Sequence, residues 1–267
     1  MSLSHALLFG LIQGLTEFLP VSSSAHLAIA ALLMQSPTSL AFSVLLHTAT
    51  LLVVCIVYRR DVAALLRAGL RLPFRHTSQD AADRRMLSRL LLSLLPLLPA
   101  VLVRNAIEAA ASKPWLIALA LCGTAMLLCL ADRCSKGSKT IAEMTVRDAL
   151  VIGAAQLLAV VPGLSRSGVT LTAALLCGLR ADDAVRYSFL LSLPTVLAAA
   201  VLECGNLLQT GAESGVVTAC VVGFAAAAAS GFLAIRLLNK AVRVGRLKLF
   251  ALYCVALAAG LFLSECI

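Results

Sequence analysis

The chain has 267 residues, of which 61% are hydrophobic and 13% are charged, and its formal net charge is +9. A soluble domain is about half apolar and about a quarter charged, so this composition excludes an ordinary water-soluble fold and predicts an integral membrane protein. The basic residues lie in short loops between apolar runs and lack the interleaved aromatic residues of a nucleic-acid surface, so we expect no nucleic-acid partner.

The first apolar segment, residues 3–33, is interrupted by the sequence PVSSSAH at residues 20–26. Proline and serine clusters end helices, and broken backbone survives within a membrane only where protein or a polar cavity surrounds it. We therefore predict a re-entrant helical hairpin here. Three simple spans are predicted to follow it, at residues 41–58, 86–103 and 115–131.

A second broken segment, residues 148–178, is interrupted by PGLSRSG at residues 162–168. For the same reasons it predicts a second re-entrant hairpin. Three further spans are predicted at residues 187–202, 215–235 and 249–264. The predicted fold class is therefore an all-α polytopic membrane protein with six transmembrane helices and two re-entrant hairpins.

The distribution of basic residues supports this topology. Eight arginines lie in residues 59–89 and five Lys/Arg in residues 236–248, whereas residues 34–40 and 203–214 hold none. Cytoplasmic loops are enriched in Lys and Arg, and the six spans alternate correctly only if each hairpin returns to the side from which it entered. The first hairpin then enters from outside and the second from inside.

The two halves of the chain also resemble each other. Gly10 and Gln13 precede the first break much as Gly153 and Gln156 precede the second. Each half holds one hairpin and three spans, an odd number, so the second half is predicted to be inverted. We expect one membrane domain, residues 1–267, with repeat halves at about 1–133 and 146–267. Such repeats place a polar site near the bilayer midplane, although chance similarity of Leu/Ala-rich helices is the alternative.

Two charged residues lie inside the apolar segments. Arg166 is the one member of 22 Lys/Arg outside the loops, and Glu17 is the one member of 13 Asp/Glu deep in an apolar segment. Charges within a bilayer are costly and usually mark a functional site. A structural ion pair between them is the alternative. His26 and His47 lie nearby in sequence, and each could instead be a satisfied interior histidine.

The first break supplies hydroxyl groups, and at least one of them is expected to cap the following helix. These are Ser22, Ser23 and Ser24. Gln13 lies one helical turn before Glu17, so the two side chains share a face. Gln13 could support Glu17 or simply satisfy backbone groups.

The second break suits a phosphate. Glycine lets the backbone approach a ligand closely, a helix N-terminus offers free N–H groups, and arginine matches phosphate as a bidentate fork. The predicted phosphate-binding residues are Ser165, Arg166, Ser167, Gly168 and Thr170.

Two motifs carry a resemblance to a known family. QGLTEFLPVSSSAH at residues 13–26 and PGLSRSGVT at residues 162–170 resemble the two signatures of the undecaprenyl-diphosphate phosphatase family of the bacitracin-resistance type. The resemblance extends through SFLLSLP at 188–194 and FALY at 250–253, and so covers nearly the whole chain. Gln13 stands where many members have a second glutamate, although glutamine also occurs there, and this weakens any mechanism that needs two carboxylates. Ala25 stands where glycine is common.

The resemblance implies hydrolysis of undecaprenyl diphosphate to the monophosphate on the outer face of the plasma membrane. It also implies a divalent cation, Mg²⁺ or Ca²⁺, which Glu17 and Gln13 would hold. The implied activity recycles the lipid carrier for cell-wall glycan synthesis and confers bacitracin resistance. The site residues carried over by motif are Glu17, Ser23, His26, Ser165, Arg166 and Thr170; the polyprenyl lipid and the bilayer are the expected partners, and a homodimer is also considered.

Two mechanisms remain open at this point. Ser23 could attack phosphorus with His26 as its base, which we favour, or a water molecule could attack while His26 or Glu17 takes its proton. A lipid-carrier flippase or small-molecule transporter is the rival function, because inverted repeats with midplane sites are typical of transporters. Release of phosphate by purified protein without any gradient would distinguish the enzyme from the transporter.

Overall fold

The computed structural model describes residues 2–36, 39–70, 78–103, 113–207 and 214–265. These ranges form an all-α structure without any β-strand. The helices are α1 (Leu3–Phe18), α2 (Ser23–Leu33), α3 (Leu40–Val57), α4 (Arg59–Leu70), α5 (Ser78–Leu94), α6 (Pro114–Arg133), α7 (Val146–Leu158), α8 (Arg166–Leu176), α9 (Ala181–Leu207), α10 (Ser214–Val244) and α11 (Leu247–Glu265). A 3₁₀ helix, Leu95–Val103, continues α5, and a second one, Ile141–Glu143, precedes α7.

Each predicted span lies within a helical segment, but length and composition alone identify fewer crossings than six. Among the described residues, α6 and the Val217–Val244 part of α10 are long and apolar enough to cross a membrane. The segment Ala41–Val57 of α3 qualifies only together with α4, which turns away from it by 91°. α2 and the Leu247–Leu263 part of α11 are apolar but shorter than a full span.

Both predicted breaks are present. α1 ends at Phe18 and α2 begins at Ser23, while α7 ends at Leu158 and α8 begins at Arg166. α2 and α8 are both 11 residues long. Ser22 accepts a hydrogen bond from the Ala25 N–H at 3.4 Å and Ser165 accepts one from the Gly168 N–H at 3.2 Å, so a serine caps each short helix.

Each hairpin packs closely against a helix from the other half of the chain. A Cβ atom added to Gly10 of α1 would lie 2.3 Å from the carbonyl oxygen of Gly223 in α10. A Cβ added to Gly153 of α7 would lie 2.3 Å from the carbonyl oxygen of Ser93 in α5. Only glycine permits these approaches. α3 also packs against α9 and α10, and α6 packs against α11, so these helix pairs likewise join the two halves of the chain.

Candidate active site at the hairpin tips

The tips of the two hairpins meet. Arg166, the first residue of α8, forms an ion pair with the Oε1 atom of Glu17 near the end of α1. The Ser167 hydroxyl donates to the carbonyl oxygen of Leu19 at 3.3 Å. A Cβ atom on Gly168 would lie 3.4 Å from the Cβ atom of Pro20, so the two breaks are in van der Waals contact. The structure thus brings together the two charged residues that the sequence singled out.

Glu17 is the centre of the polar cluster. Its Oε2 atom accepts hydrogen bonds from the Ser23 hydroxyl at 2.7 Å and from the Gln13 amide at 3.1 Å. The Nε2 atom of His47 lies 3.7 Å from the same oxygen. Glu17 is only 8% exposed, so a single buried carboxylate is held by an arginine, a serine and a glutamine. A buried charge needs such partners to offset its desolvation.

A cavity of about 420 Å³ opens beside this cluster. Six helices, α1, α2, α3, α7, α8 and α9, supply polar residues to its wall, with Glu17 and Arg166 among them. The other lining residues are Thr16, Ser22, Ser23, Ser24, Ser43, Val44, His47, Leu97, Gln156, Ala159, Val160, Leu164, Ser165, Thr195 and Val196. The N-termini of α2 and α8 both lie at this cavity, and helix N-termini favour anions through their free N–H groups and dipoles.

The backbone at the two tips is fixed in different ways. Ser22 has a φ of +70°, which is strained for a residue other than glycine. At the second tip Gly163 has a φ of +97°, and its close approach to the Ile117 carbonyl oxygen, 2.7 Å from an added Cβ, excludes a side chain. Thr124 of α6 fixes the same loop, because its hydroxyl donates to Gly163 O at 3.3 Å and accepts from the Ser165 N–H at 3.0 Å.

The two histidines differ in position. His26 does not line the cavity: its Nδ1 atom lies 2.8 Å from the Ser22 carbonyl oxygen and its Nε2 atom 2.7 Å from the Tyr253 hydroxyl. Its ring also stacks on Tyr253, with centroids 5.6 Å apart. His47 does line the cavity, and its Nδ1 atom is held 2.8 Å from the Ser43 carbonyl oxygen. The structure therefore brings His47 to Glu17 and turns His26 toward α11, away from its predicted place beside the Ser23 hydroxyl.

Thr170 and the serines of the two tips occupy different positions relative to the cavity. The Thr170 hydroxyl is buried behind the cavity, 2.5 Å from the Ser188 hydroxyl and 2.9 Å from the Arg166 carbonyl oxygen, so it ties α8 to α9. Ser22 and Ser24 contact each other at 3.2 Å on the cavity wall, and the Ser165 hydroxyl lies 3.1 Å from that of Ser167. Of the predicted phosphate-binding residues, Ser165 and Arg166 line the cavity, whereas Ser167, Gly168 and Thr170 lie behind it.

Sequence reasoning did not assign to the site Gln156 and Thr195, which line the cavity, or Thr124, which fixes the second tip. The signal for Gln156 was available, because it is the counterpart of Gln13 in the repeated pattern. No group of three or more His, Cys, Asp or Glu side chains that could hold a metal ion occurs within the described ranges.

Comparison with known proteins gives one consistent result. The family model of the bacitracin resistance protein BacA matches residues 6–260. A protein named undecaprenyl-diphosphatase from Trichlorobacter lovleyi is 41% identical over 266 residues, which covers 97% of this chain and 96% of the relative. Proteins of the same name from Geobacter sulfurreducens and Methanococcus maripaludis are 40% and 37% identical, covering 97% and 93% of this chain and 96% and 94% of the relatives.

Proposed function

Because the chain belongs to the family of the bacitracin resistance protein BacA, we propose that it hydrolyses undecaprenyl diphosphate to the monophosphate and inorganic phosphate. This reaction recycles the lipid carrier of cell-wall glycan synthesis and confers bacitracin resistance. The observation that carries the proposal is the contact between Glu17 and Arg166 beside a cavity at the two hairpin tips. A diphosphate is densely anionic, so positioning and charge neutralisation supply most of the catalysis.

Arg166 is proposed as the phosphate clamp. A guanidinium carries five N–H donors, so it can keep its contact with Glu17 and still donate to phosphate oxygens. It stands at the N-terminus of α8, where the helix adds positive potential. Ser165 lies next to it on the cavity wall and is proposed as a further phosphate contact, whereas Ser167, Gly168 and Thr170 hold the loop in shape.

Ser23 is proposed as the nucleophile and Glu17 as its base: the Ser23 oxygen would bond to the terminal phosphorus, its proton would pass to Glu17, and undecaprenyl monophosphate would leave. Water would then hydrolyse the phosphoserine and release inorganic phosphate. The Ser23 hydroxyl already donates to Glu17 Oε2 at 2.7 Å, which is within the range for proton transfer from a nucleophile to a base. His26 is not within such reach, because both of its ring nitrogens face Ser22 and Tyr253. Direct attack by water with Glu17 as the base remains the second mechanism, and His47 is placed to assist Glu17 in either.

A divalent cation, Mg²⁺ or Ca²⁺, is part of the proposal. Magnesium is commonly bound by one or two carboxylates together with substrate phosphates. Glu17 supplies a carboxylate, and the Gln13 carbonyl oxygen is buried beside it without a hydrogen-bond partner, so these two residues fit such an ion. The cation would neutralise charge on the diphosphate. With chelator present, we expect phosphate release to stop and to return on addition of Mg²⁺ or Ca²⁺.

The proposed membrane arrangement has six transmembrane helices and two re-entrant hairpins in an inverted repeat. It is supported by the matching hairpin lengths and by the reciprocal packing of α1 on α10 and of α7 on α5. Cysteines at positions 20 and 168 should form a disulfide on oxidation, because their Cβ atoms would lie 3.4 Å apart, close to the short end of the disulfide range. Failure to crosslink, while a surface pair on α4 and α5 does, would contradict the contact between the tips.

The cavity is proposed to face the outer side of the plasma membrane. Ser43 and His47 line it from the first half of α3, whereas Arg59 and Arg60 follow the other end of that helix. Basic residues favour the cytoplasm. In cells with a cysteine-free background, a membrane-impermeant thiol reagent should label Ser43→Cys and not Arg246→Cys. The reverse pattern would refute the orientation. A homodimer stays a prediction.

The decisive test of function is phosphate release by the purified protein in detergent. Synthetic undecaprenyl diphosphate should yield one phosphate and the monophosphate without any gradient or second compartment. A flippase or transporter would move the lipid in vesicles and release no phosphate. Arg243→Lys, which alters an exposed pair with Asp182 far from the cavity, is the matched control for variants at the site.

A further inference from the structure

Gln156 is a buried amide with unused hydrogen-bonding capacity. It forms part of the cavity wall, it is 2% exposed, and neither its Oε1 nor its Nε2 atom has a hydrogen-bond partner in the described protein. Buried side-chain amides are nearly always hydrogen-bonded, because an unpaired one loses its contacts with water and gains none in return. An exception beside a cavity points to a ligand.

The counterpart of Gln156 in the first hairpin is Gln13, and comparison of the two shows that Gln156 lacks a carboxylate acceptor. Gln13 donates its amide to Glu17, one helical turn further along α1. The residue one turn beyond Gln156 is Val160, which offers no acceptor. Gln156 therefore occupies the position in the second hairpin that Gln13 has in the first, but no carboxylate lies one turn further along its helix.

The other buried polar residues of the cavity already form hydrogen bonds within the protein. Glu17 accepts from Ser23, Gln13 and Arg166, and Ser165 accepts from the Gly168 N–H. The Thr16 hydroxyl donates to the Ile12 carbonyl oxygen at 2.7 Å. Among the buried lining residues that the structure describes, Gln156 alone has both its donor and its acceptor unpaired.

We propose that Gln156 is a substrate-binding residue whose amide N–H donates to a phosphoryl oxygen of the diphosphate. An amide donor binds such an oxygen without adding charge, and the same cavity already carries Arg166 and two helix N-termini that attract it. The carbonyl oxygen of Gln156 is then free to accept from a water molecule of the bound head group. This inference rests on the proposed function, because it assigns a residue to the same diphosphate.

The test measures both stability and activity, because loss of the Gln156 amide is expected to lower activity without lowering stability. Gln156→Leu removes an unpaired buried amide at similar size, so it should keep or raise the thermal midpoint of the purified protein. It should also lower kcat/KM for undecaprenyl diphosphate by at least about tenfold, mainly through KM, because a ground-state contact is lost. Gln156→Glu keeps the shape but repels phosphate, and its loss should exceed that of the leucine variant.

A binding measurement separates this inference from the proposed function. Methylene diphosphonate, which cannot be hydrolysed, should raise the thermal midpoint of the wild-type protein and raise that of Gln156→Leu much less. If the wild-type protein binds this probe but releases no phosphate, the proposed function fails and Gln156 can still be judged. If Gln156→Leu turns over within about twofold of wild type and keeps the thermal shift, the inference is wrong. A fall in folded yield of Gln156→Leu also overturns it, since the amide would then be paired in the free protein.

Discussion

The two hairpins share one scaffold and carry different chemistry. Ser22 and Ser165 cap equivalent helices, and the next residues, Ser23 and Arg166, each begin a helix 143 positions apart. Yet the first hairpin holds the buried carboxylate, Glu17, whereas the corresponding position of the second is Val160. One hairpin supplies the acidic and nucleophilic groups and the other the cation, so neither can form the site alone.

The largest expected effect concerns the first residue of α2. If Ser23 attacks phosphorus, Ser23→Ala should lower kcat about 1000-fold or more, because Ser23 is the described lining residue whose hydroxyl donates to Glu17. Single-turnover phosphate release with undecaprenyl diphosphate measures this. Ser24→Ala, one residue along on the same cavity wall, is the control and should stay within about threefold. A Ser23→Ala enzyme with a tenth of normal activity would instead establish water as the nucleophile.

The next largest effect on rate is expected at Arg166, which has the equivalent position in the second hairpin. Arg166→Lys keeps the charge but loses the bidentate fork. The loss should be about 2–4 kcal/mol in transition-state stabilisation, or about 30- to 1000-fold in rate. The structure contains the Glu17–Arg166 pair that a purely structural role would also require. Turnover of Arg166→Lys within about threefold of wild type, combined with poor folding of Arg166→Ala, would favour that structural role.

A smaller effect on kcat/KM is expected at His26, because its contact with α11 has no equivalent in the second hairpin. His26 bonds to Tyr253 of α11, whereas its counterpart in α8, Val169, is buried and apolar. His26→Gln and Tyr253→Phe should each lower kcat/KM only about two- to tenfold, and the double variant should be no worse, because both remove one hydrogen bond. A double-mutant cycle measures this coupling. A loss above about 100-fold for His26→Gln alone would restore His26 as the catalytic base.

The smallest expected effect is on stability. α7 begins with a capping box in which Asp148 accepts from the Thr145 N–H at 2.7 Å and pairs with Lys139, whereas the first turn of α1 has no acidic residue. Asp148→Ala should lower stability by about 1 kcal/mol with activity per folded molecule unchanged. Thermal unfolding in detergent measures the change. Glu143→Ala, in the exposed capping box of the preceding turn, should have no measurable effect, and an equal loss there would show that capping at α7 is not special.

Much of this site could be predicted because charge is rare in the apolar segments. Glu17 and Arg166 stand out from the sequence by position alone, and the hairpin breaks follow from proline, glycine and serine. The choice between His26 and His47 could not be made that way. It depends on how α2 and α3 are rotated about their axes, and hence on packing against α11 and α1. The surroundings of Thr170 could not be predicted either: its hydroxyl lies 2.5 Å from that of Ser188 in α9, and its role as a phosphate ligand stays a prediction.

The close glycine contacts have a consequence for the order of assembly during synthesis. The helix against which Gly153 packs, α5, is already made when the second hairpin leaves the ribosome. Gly10 packs against Gly223, which is synthesised 213 positions later, so this contact cannot form before then. The first hairpin, although translated first, therefore completes its packing among the last, and the newborn chain must carry its buried carboxylate without Arg166 for most of that time. Two halves expressed as separate chains and cut within residues 134–140 should accordingly be unstable apart and regain activity together, and a first half that folds stably alone would contradict this order.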